Sequence, residues 1–87
     1  MEVEYNKAKN QRNIEERGLS FDEVMDFDFS TANVIEDTRH DYPEQRIVAT
    51  GYLGSRLHVL CFTPINGGIR VISFRKANKR EVKSYES

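Results

Sequence analysis

Residues 46–77 read RIVATGYLGSRLHVLCFTPINGGIRVISFRKA, and this stretch decides the fold. Three runs within it, RIVATGYL, RLHVLCFTP and IRVISFRKA, are rich in β-branched and aromatic residues, which suit a pleated and half-buried surface. Between them stand Leu53 to Arg56 (LGSR) and Asn66-Gly67-Gly68, the glycine-bearing turn chemistry that folds consecutive strands back as antiparallel hairpins. Upstream, ANVIED supplies one more strand, so a four-strand meander is predicted. Downstream, Asn78 and Glu81 have capping-box spacing and Val82 and Tyr85 share one helical face, which predicts a short C-terminal helix.

Toward the N-terminus the signals become helical. After a short strand at Glu2 to Tyr5, Asn6 is placed to cap a helix running to about Arg17, and Gly18 is placed to stop it. The apolar face of that helix holds Ala8, Ile14 and little else, so it is expected to be mostly solvated. Ser20 and Glu23 then repeat the capping-box spacing, with Leu19 and Val24 at the positions of a hydrophobic staple. A second helix is predicted from Phe21 to about Phe27, its stripe of Phe21, Val24 and Phe27 packing on the sheet. The expected architecture is β-α-α-β-β-β-β-α: an α+β domain whose mostly antiparallel sheet carries two N-terminal helices on one face.

A chain of 87 residues is one domain with a small core, because folding at this size buries only about 60 to 65% of the unfolded surface. A site on it should be a shallow surface or groove. No run approaches the length of a membrane span and MEVEYNKAKN lacks the apolar stretch of a signal peptide, so a cytoplasmic protein is expected. The single cysteine, Cys61, fits a reducing compartment, and its apolar setting LHVLCFT points to core packing.

Net charge is only −1, but it is segregated. Residues 1–45 carry five Lys/Arg against twelve Asp/Glu, whereas residues 46–87 carry eight against two. Such polarity suits a surface that meets polyanions while the whole stays near neutral, although mixed charge on solvated helices is the ordinary alternative. The basic density peaks in Arg70, Arg75, Lys76, Lys79, Arg80 and Lys83. On a regular strand Arg70 and Arg75 face opposite ways, unless a bulge intervenes. Of the two histidines, His58 sits inside a strand run and reads as structural, while His40 lies in the charged loop EDTRHDYPEQR beside Arg39 and is the candidate for proton transfer. The set His40, Asp41 and Glu44 matches no zinc spacing, and no phosphate loop or nucleophile elbow occurs, so neither metal nor cofactor is expected.

Three blocks, EYNKAKNQRNIEERGLSFDEV, EDTRHDYPEQRIVATG and IRVISFRKANKREVKSYE, resemble in order and spacing the BrnT family of bacterial type II toxins. The likeness covers Lys9 and Asn13, then Arg39, His40, Asp41, Tyr42, Glu44 and Arg46, then Arg70, Ser73, Arg75, Lys76, Ala77, Arg80, Glu81 and Tyr85. Two places depart from it: Tyr5-Asn6 stands where the family shows Trp-Asp, and Glu16-Arg17-Gly18 where it shows Lys-His-Gly. The resemblance implies a RelE-like fold, ribonuclease activity that arrests growth, and neutralisation by a ribbon-helix-helix antitoxin of the BrnA type.

RNA cleavage without a metal requires deprotonation of the 2′-hydroxyl, an offset for the phosphorane charge, and protonation of the leaving 5′-oxygen. Arg46, Arg70 and Arg75 are expected to offset charge, and His40 or Glu44 to handle the proton. Arg39, Lys76, Lys79, Arg80 and Tyr85 are expected to bind RNA, with Tyr85 or Lys76 as alternative proton donors. A two-fold toxin–antitoxin complex follows from a dimeric antitoxin, with DNA contacted only through it. The competing readings are a non-catalytic module that grips RNA or an acidic partner, and a degenerate toxin that still holds its antitoxin.

Overall fold

The computed structural model describes residues Met1–Ser87. In chain order the elements are β1 (Glu2–Glu4), α1 (Lys7–Arg17), a 3₁₀ helix (Phe21–Asp26), β2 (Asn33–Glu36), β3 (Ile47–Leu53), β4 (Arg56–Ile65), β5 (Gly68–Lys76) and α2 (Lys79–Glu86). The strands form one five-stranded sheet in the order β1-β5-β4-β3-β2. β2 to β5 are the antiparallel meander, and β1 joins it in parallel against β5, making the sheet mixed. No helix is long and apolar enough to cross a membrane.

The expectation of two N-terminal helices packed on one sheet face is wrong. The capping box at Ser20 forms as read, with Ser20 Oγ accepting from the Asp22 N–H and the Glu23 carboxylate accepting from the Ser20 N–H. What it starts is not α-helical, since Glu23 N donates to Ser20 O and Phe27 N to Val24 O, bonds of i→i−3 type. At three residues per turn Phe21, Val24 and Phe27 align on one edge, and all three are buried in the core. Met25, which an α-helix would bring beside Phe21, stays exposed. Nor does α1 cover the sheet. Asn6 caps it, Gly18 ends it at φ 64°, and Asn13 is its one buried side chain.

The core therefore lies between one sheet face and the 3₁₀ helix with the segment after it. Phe21, Val24, Phe27, Ala49, Leu60, Phe62, Ile69, Val71 and Phe74 pack there, and Phe27, Phe29, Phe62 and Phe74 meet edge to face. Phe21, Phe74, Leu60 and Val24 are the largest fully buried side chains, each worth about 1.5 to 3 kcal/mol of transfer. A smaller cluster of Leu57, Val59 and Ala77 lies on the opposite face beneath Val82 and Tyr85 of α2. Tyr85 fastens that helix by donating from its hydroxyl to Thr31 O at 2.8 Å and stacking edge-on against Tyr52. The rest of this second face is open.

One irregularity sets which side chains the open face presents. Cys61 pairs with Ser73, but Phe62 pairs with Val71, so Ile72 is an extra residue in β5. The bulge reverses the alternation: Ile69, Val71 and Phe74 all enter the core, and Arg70 and Arg75 both emerge on the other side. Gly68 is fixed by β1, because a Cβ there would collide with the backbone carbonyl of Glu2 in the parallel ladder.

Candidate active site

The open face carries a groove of about 610 Å³ between α2, the loop after β2 and the exposed surface of β3, β4 and β5. Its walls include Arg39, Tyr42 and Arg46 from the loop, Val59 and Cys61 from β4, Ile72, Ser73 and Arg75 from β5, and Glu81 from α2. Three guanidinium groups thus converge on one concave surface with a partly apolar floor.

Each arginine is held differently. Arg39 donates from Nε and Nη2 to the two carboxylate oxygens of Asp37, both at 2.9 Å. Asp37 is buried, its side chain 5% exposed against 78% for Arg39, and its carboxylate also accepts from the Tyr42 hydroxyl. The Arg39 hydrogen bonds keep the Asp37 carboxyl well below the ordinary carboxylate range, so it is a fixed anion at the base of the loop. Arg75 makes a two-pronged pair with Glu81, Nη1 and Nη2 each 2.8 Å from a carboxylate oxygen. That pairing draws the Glu81 carboxyl down from 4.5 to about 2 and raises Arg75. Arg46 pairs with no carboxylate. Its guanidinium lies over the Tyr42 ring, 4.2 Å from the centroid, and its backbone carbonyl accepts from the Asp37 N–H.

Local sequence explains these positions. The loop Asp37–Arg46 returns to the sheet with Asp37 N–H bonded to Arg46 O at 2.8 Å, which closes it as a compact excursion and sets Arg39 and Arg46 at its two feet. Glu81 serves twice, since the capping box of α2 places it at the third helical position, where it accepts from Asn78 N–H at 2.9 Å as well as from Arg75.

The remaining expected site residues separate from this groove. Arg70 emerges on the same face as Arg75, but at the β1 end of the strand, about 15 Å away along the backbone. There Nε donates to Glu4 and Nη1 to both oxygens of Glu44, and neither Arg70 nor Glu44 lines the groove. His40 is exposed on the outer side of the loop, its ring edge-on to Tyr42 at 5.5 Å, in a neighbouring depression formed by residues 36–46. Lys76 is exposed at the end of β5, Lys79 and Arg80 stand on the first turn of α2, and the Tyr85 hydroxyl is engaged with Thr31. His58 is buried, with Nδ1 2.9 Å from Arg56 O and its ring against Phe74.

Cys61 does not pack in the core. It is half-buried on the groove floor opposite Ser73, where burial raises its thiol pKa. Sequence reasoning also passed over Asp37 and gave no role to Tyr42. The available signal was the loop itself, in which a carboxylate two residues before Arg39 and an aromatic four before Arg46 are the residues that hold the two arginines.

No curated protein matches the chain. Residues 5–81 match the family described as the ribonuclease toxin, BrnT, of type II toxin-antitoxin systems, and with nearly the whole length covered the chain belongs to that family of ribonuclease toxins.

Proposed function

We propose that this toxin is an endoribonuclease that cuts within RNA by attack of a 2′-hydroxyl on the adjacent phosphodiester, without a metal ion, in the cytoplasm. The observation that supports this most is the convergence of Arg39, Arg46 and Arg75 on one groove. In the reaction the 2′-oxygen bonds to phosphorus and the bond to the 5′-oxygen breaks, leaving a 2′,3′-cyclic phosphate and a 5′-hydroxyl. Charge accumulates on the non-bridging oxygens, and fixed guanidinium donors offset it, each commonly worth about 10² to 10³ in rate. Arg46 and Arg75 take this role and Arg39 holds the chain at the rim. A proton must leave the 2′-hydroxyl and reach the 5′-oxygen. His40, on the outer side of the same loop, is the group assigned to it, because an imidazole both accepts and donates near neutral pH. Glu44 is set aside, since both its oxygens are given to Arg70.

The antitoxin is assigned to the ribbon-helix-helix class represented by BrnA, a dimer carrying two toxin copies and leaving its DNA-reading strands free. It silences the toxin by covering the groove with carboxylates and apolar anchors. Exposed Val34 and Ile35 on β2, the latter on the groove wall, extend the surface toward the roughly 1,000 Å² that a stable contact needs.

One observation favours a second reading, a non-catalytic RNA-binding module: neither His40 nor Glu44 lines the groove. Incubating purified toxin with RNA in EDTA separates the two. Fragments ending in a cyclic phosphate establish the nuclease, retention of uncut RNA establishes the module, and cleavage restored only by added metal overturns the metal-free mechanism.

A further inference from the structure

We infer that Arg17, Lys76 and the outer side of Arg75 form a second phosphate-binding subsite, which holds the RNA backbone next to the cleavage groove. It rests on the reading of the chain as an RNA-cleaving toxin and extends it to residues on α1. Beyond the end of β1, the outer edge of β5 meets α1 through Asn13, which donates to Phe74 O, and near that edge lies a depression of about 240 Å³. It is lined by four residues, Arg17, Leu19, Arg75 and Lys76, of which three are cations and none is a carboxylate. Arg75 lines both this depression and the groove, so the two sites are contiguous.

The arrangement is built, because Asn13 fixes it. This side chain is only 5% exposed, and its amide donates to Leu19 O at 2.9 Å and to Phe74 O at 3.0 Å. Its Oδ1 accepts from Arg17 Nη1 at 3.0 Å. Arg17 is thereby tied through one buried amide to the backbone that carries Arg75. That is the guanidinium's one hydrogen bond in the protein, and neither Arg17 nor Lys76 has a carboxylate within ion-pair distance. A guanidinium positioned by a buried partner, with most of its five N–H donors unused and a lysine beside it, suits a phosphodiester oxygen pair. A single-stranded chain bound with one phosphate in the groove continues past Arg75 into this depression.

Steady-state cleavage of a single-stranded transcript over a range of salt tests the subsite, using wild type, Arg17→Gln, Lys76→Gln and, as a control on the same helix, Arg12→Gln. Arg17→Gln and Lys76→Gln should each raise KM about fivefold with kcat changed less than about twofold. Each should also reduce the steepness of log(kcat/KM) against log[salt] by about 0.7, the loss of one single-strand phosphate contact. Arg17→Lys should restore the salt slope and only part of the KM. Arg12→Gln should behave as wild type, and unchanged melting temperatures assign the differences to binding. If Arg17→Gln matches wild type in KM and salt slope, the subsite is refuted while the nuclease stands. A shift in antitoxin affinity without one in KM refutes it equally and gives the depression to the protein partner. Failure of wild type itself to bind or cut RNA refutes the underlying reading instead.

Discussion

Glu81 joins the sheet, the C-terminal helix and the groove, so removing it has effects that can be dissected. In Glu81→Ala two contributions are lost. The first is the pair with Arg75, both bonds 2.8 Å. Taken without solvent screening, a carboxyl drawn from 4.5 to about 2 would correspond to roughly 3 kcal/mol. Arg75, however, is 37% exposed, and pairs open to water measure at most about 1 kcal/mol, so about 1 kcal/mol is the figure to use. The second is the return bond of the capping box to Asn78 N–H, worth about 0.5 to 1 kcal/mol. Together they predict a loss of about 1.5 to 2 kcal/mol, or roughly 6 to 15 °C in melting temperature for a domain of this size. Glu81→Gln separates the terms, since glutamine can keep the cap but not the charge.

The pH dependence fixes the sign. Because the folded pKa is depressed, the pair stabilises fully above the unfolded value of about 4.5, and its contribution is lost as pH falls toward 2. Thermal melts by circular dichroism at pH 7 and pH 3 should therefore show a smaller acid loss for Glu81→Gln than for wild type, by up to about 1 kcal/mol. Asp37, held low by Arg39, titrates in both proteins and cancels. Equal acid losses in the two proteins would refute the claim that the Arg75 pair holds Glu81 ionised.

Other substitutions test the remaining assignments. Arg46→Ala and Arg75→Ala should each lower RNA cleavage at least about a hundredfold, with lysine at either position rescuing in part because fork geometry is lost; near-normal cleavage removes that residue from the site. Arg70→Ala, outside the groove and neutralised by Glu4 and Glu44, should change kcat by less than about tenfold, and a hundredfold loss would move the reacting phosphate to the β1 end of the sheet. Ser20→Ala should cost about 0.5 to 2 kcal/mol in chemical denaturation without altering cleavage, and an unchanged midpoint would deny the cap a role. Gly68→Ala should detach β1 from β5, detected as faster hydrogen exchange at Glu2 to Glu4, since any Cβ there meets the Glu2 backbone.

The meander, the caps and the long course of α1 are legible because each rests on signals within a few residues. The pitch of the second helix was harder to read, since the same capping box opens an α-helix or a 3₁₀ helix. The distinguishing sign is an absence: Phe21, Val24 and Phe27 recur by threes, and no apolar residue four positions along is buried with them. In an α-helix this spacing would spread Phe21 and Phe27 over about 120°, whereas three residues per turn puts them in line. The first strand forms at Glu2–Glu4, within the expected Glu2 to Tyr5, but its parallel pairing with β5 was not legible from three residues. The one trace of that pairing is Gly68, a second glycine after the turn residue Gly67, required by a backbone approaching from outside the hairpin. The bulge also left a mark. Ile69 and Val71 are two apart and Phe74 is three further on, a break in alternation, and because all three are buried in one core the strand needs an extra residue between them, Ile72.

That break brings Arg75 to the groove, but it does not explain how a groove with two of its three arginines already paired could take up a phosphate. The carboxylates are not free to leave. Asp37 is buried and also held by the Arg39 backbone N–H and the Tyr42 hydroxyl, and Glu81 caps α2. The pairing geometry leaves room for a ligand nonetheless. Arg39 presents Nε and Nη2 to Asp37, so its Nη1 hydrogens are uncommitted; Arg75 presents Nη1 and Nη2 to Glu81, so its Nε hydrogen is uncommitted. Arg46 lies over the Tyr42 ring and has no carboxylate within ion-pair distance. In the proposed reaction the phosphodiester would be met through these uncommitted N–H groups and Arg46, with neither pair broken. The two carboxylates hold the Arg39 and Arg75 guanidinium planes, and in the proposed mechanism Arg46 would supply the attraction that draws the anion in.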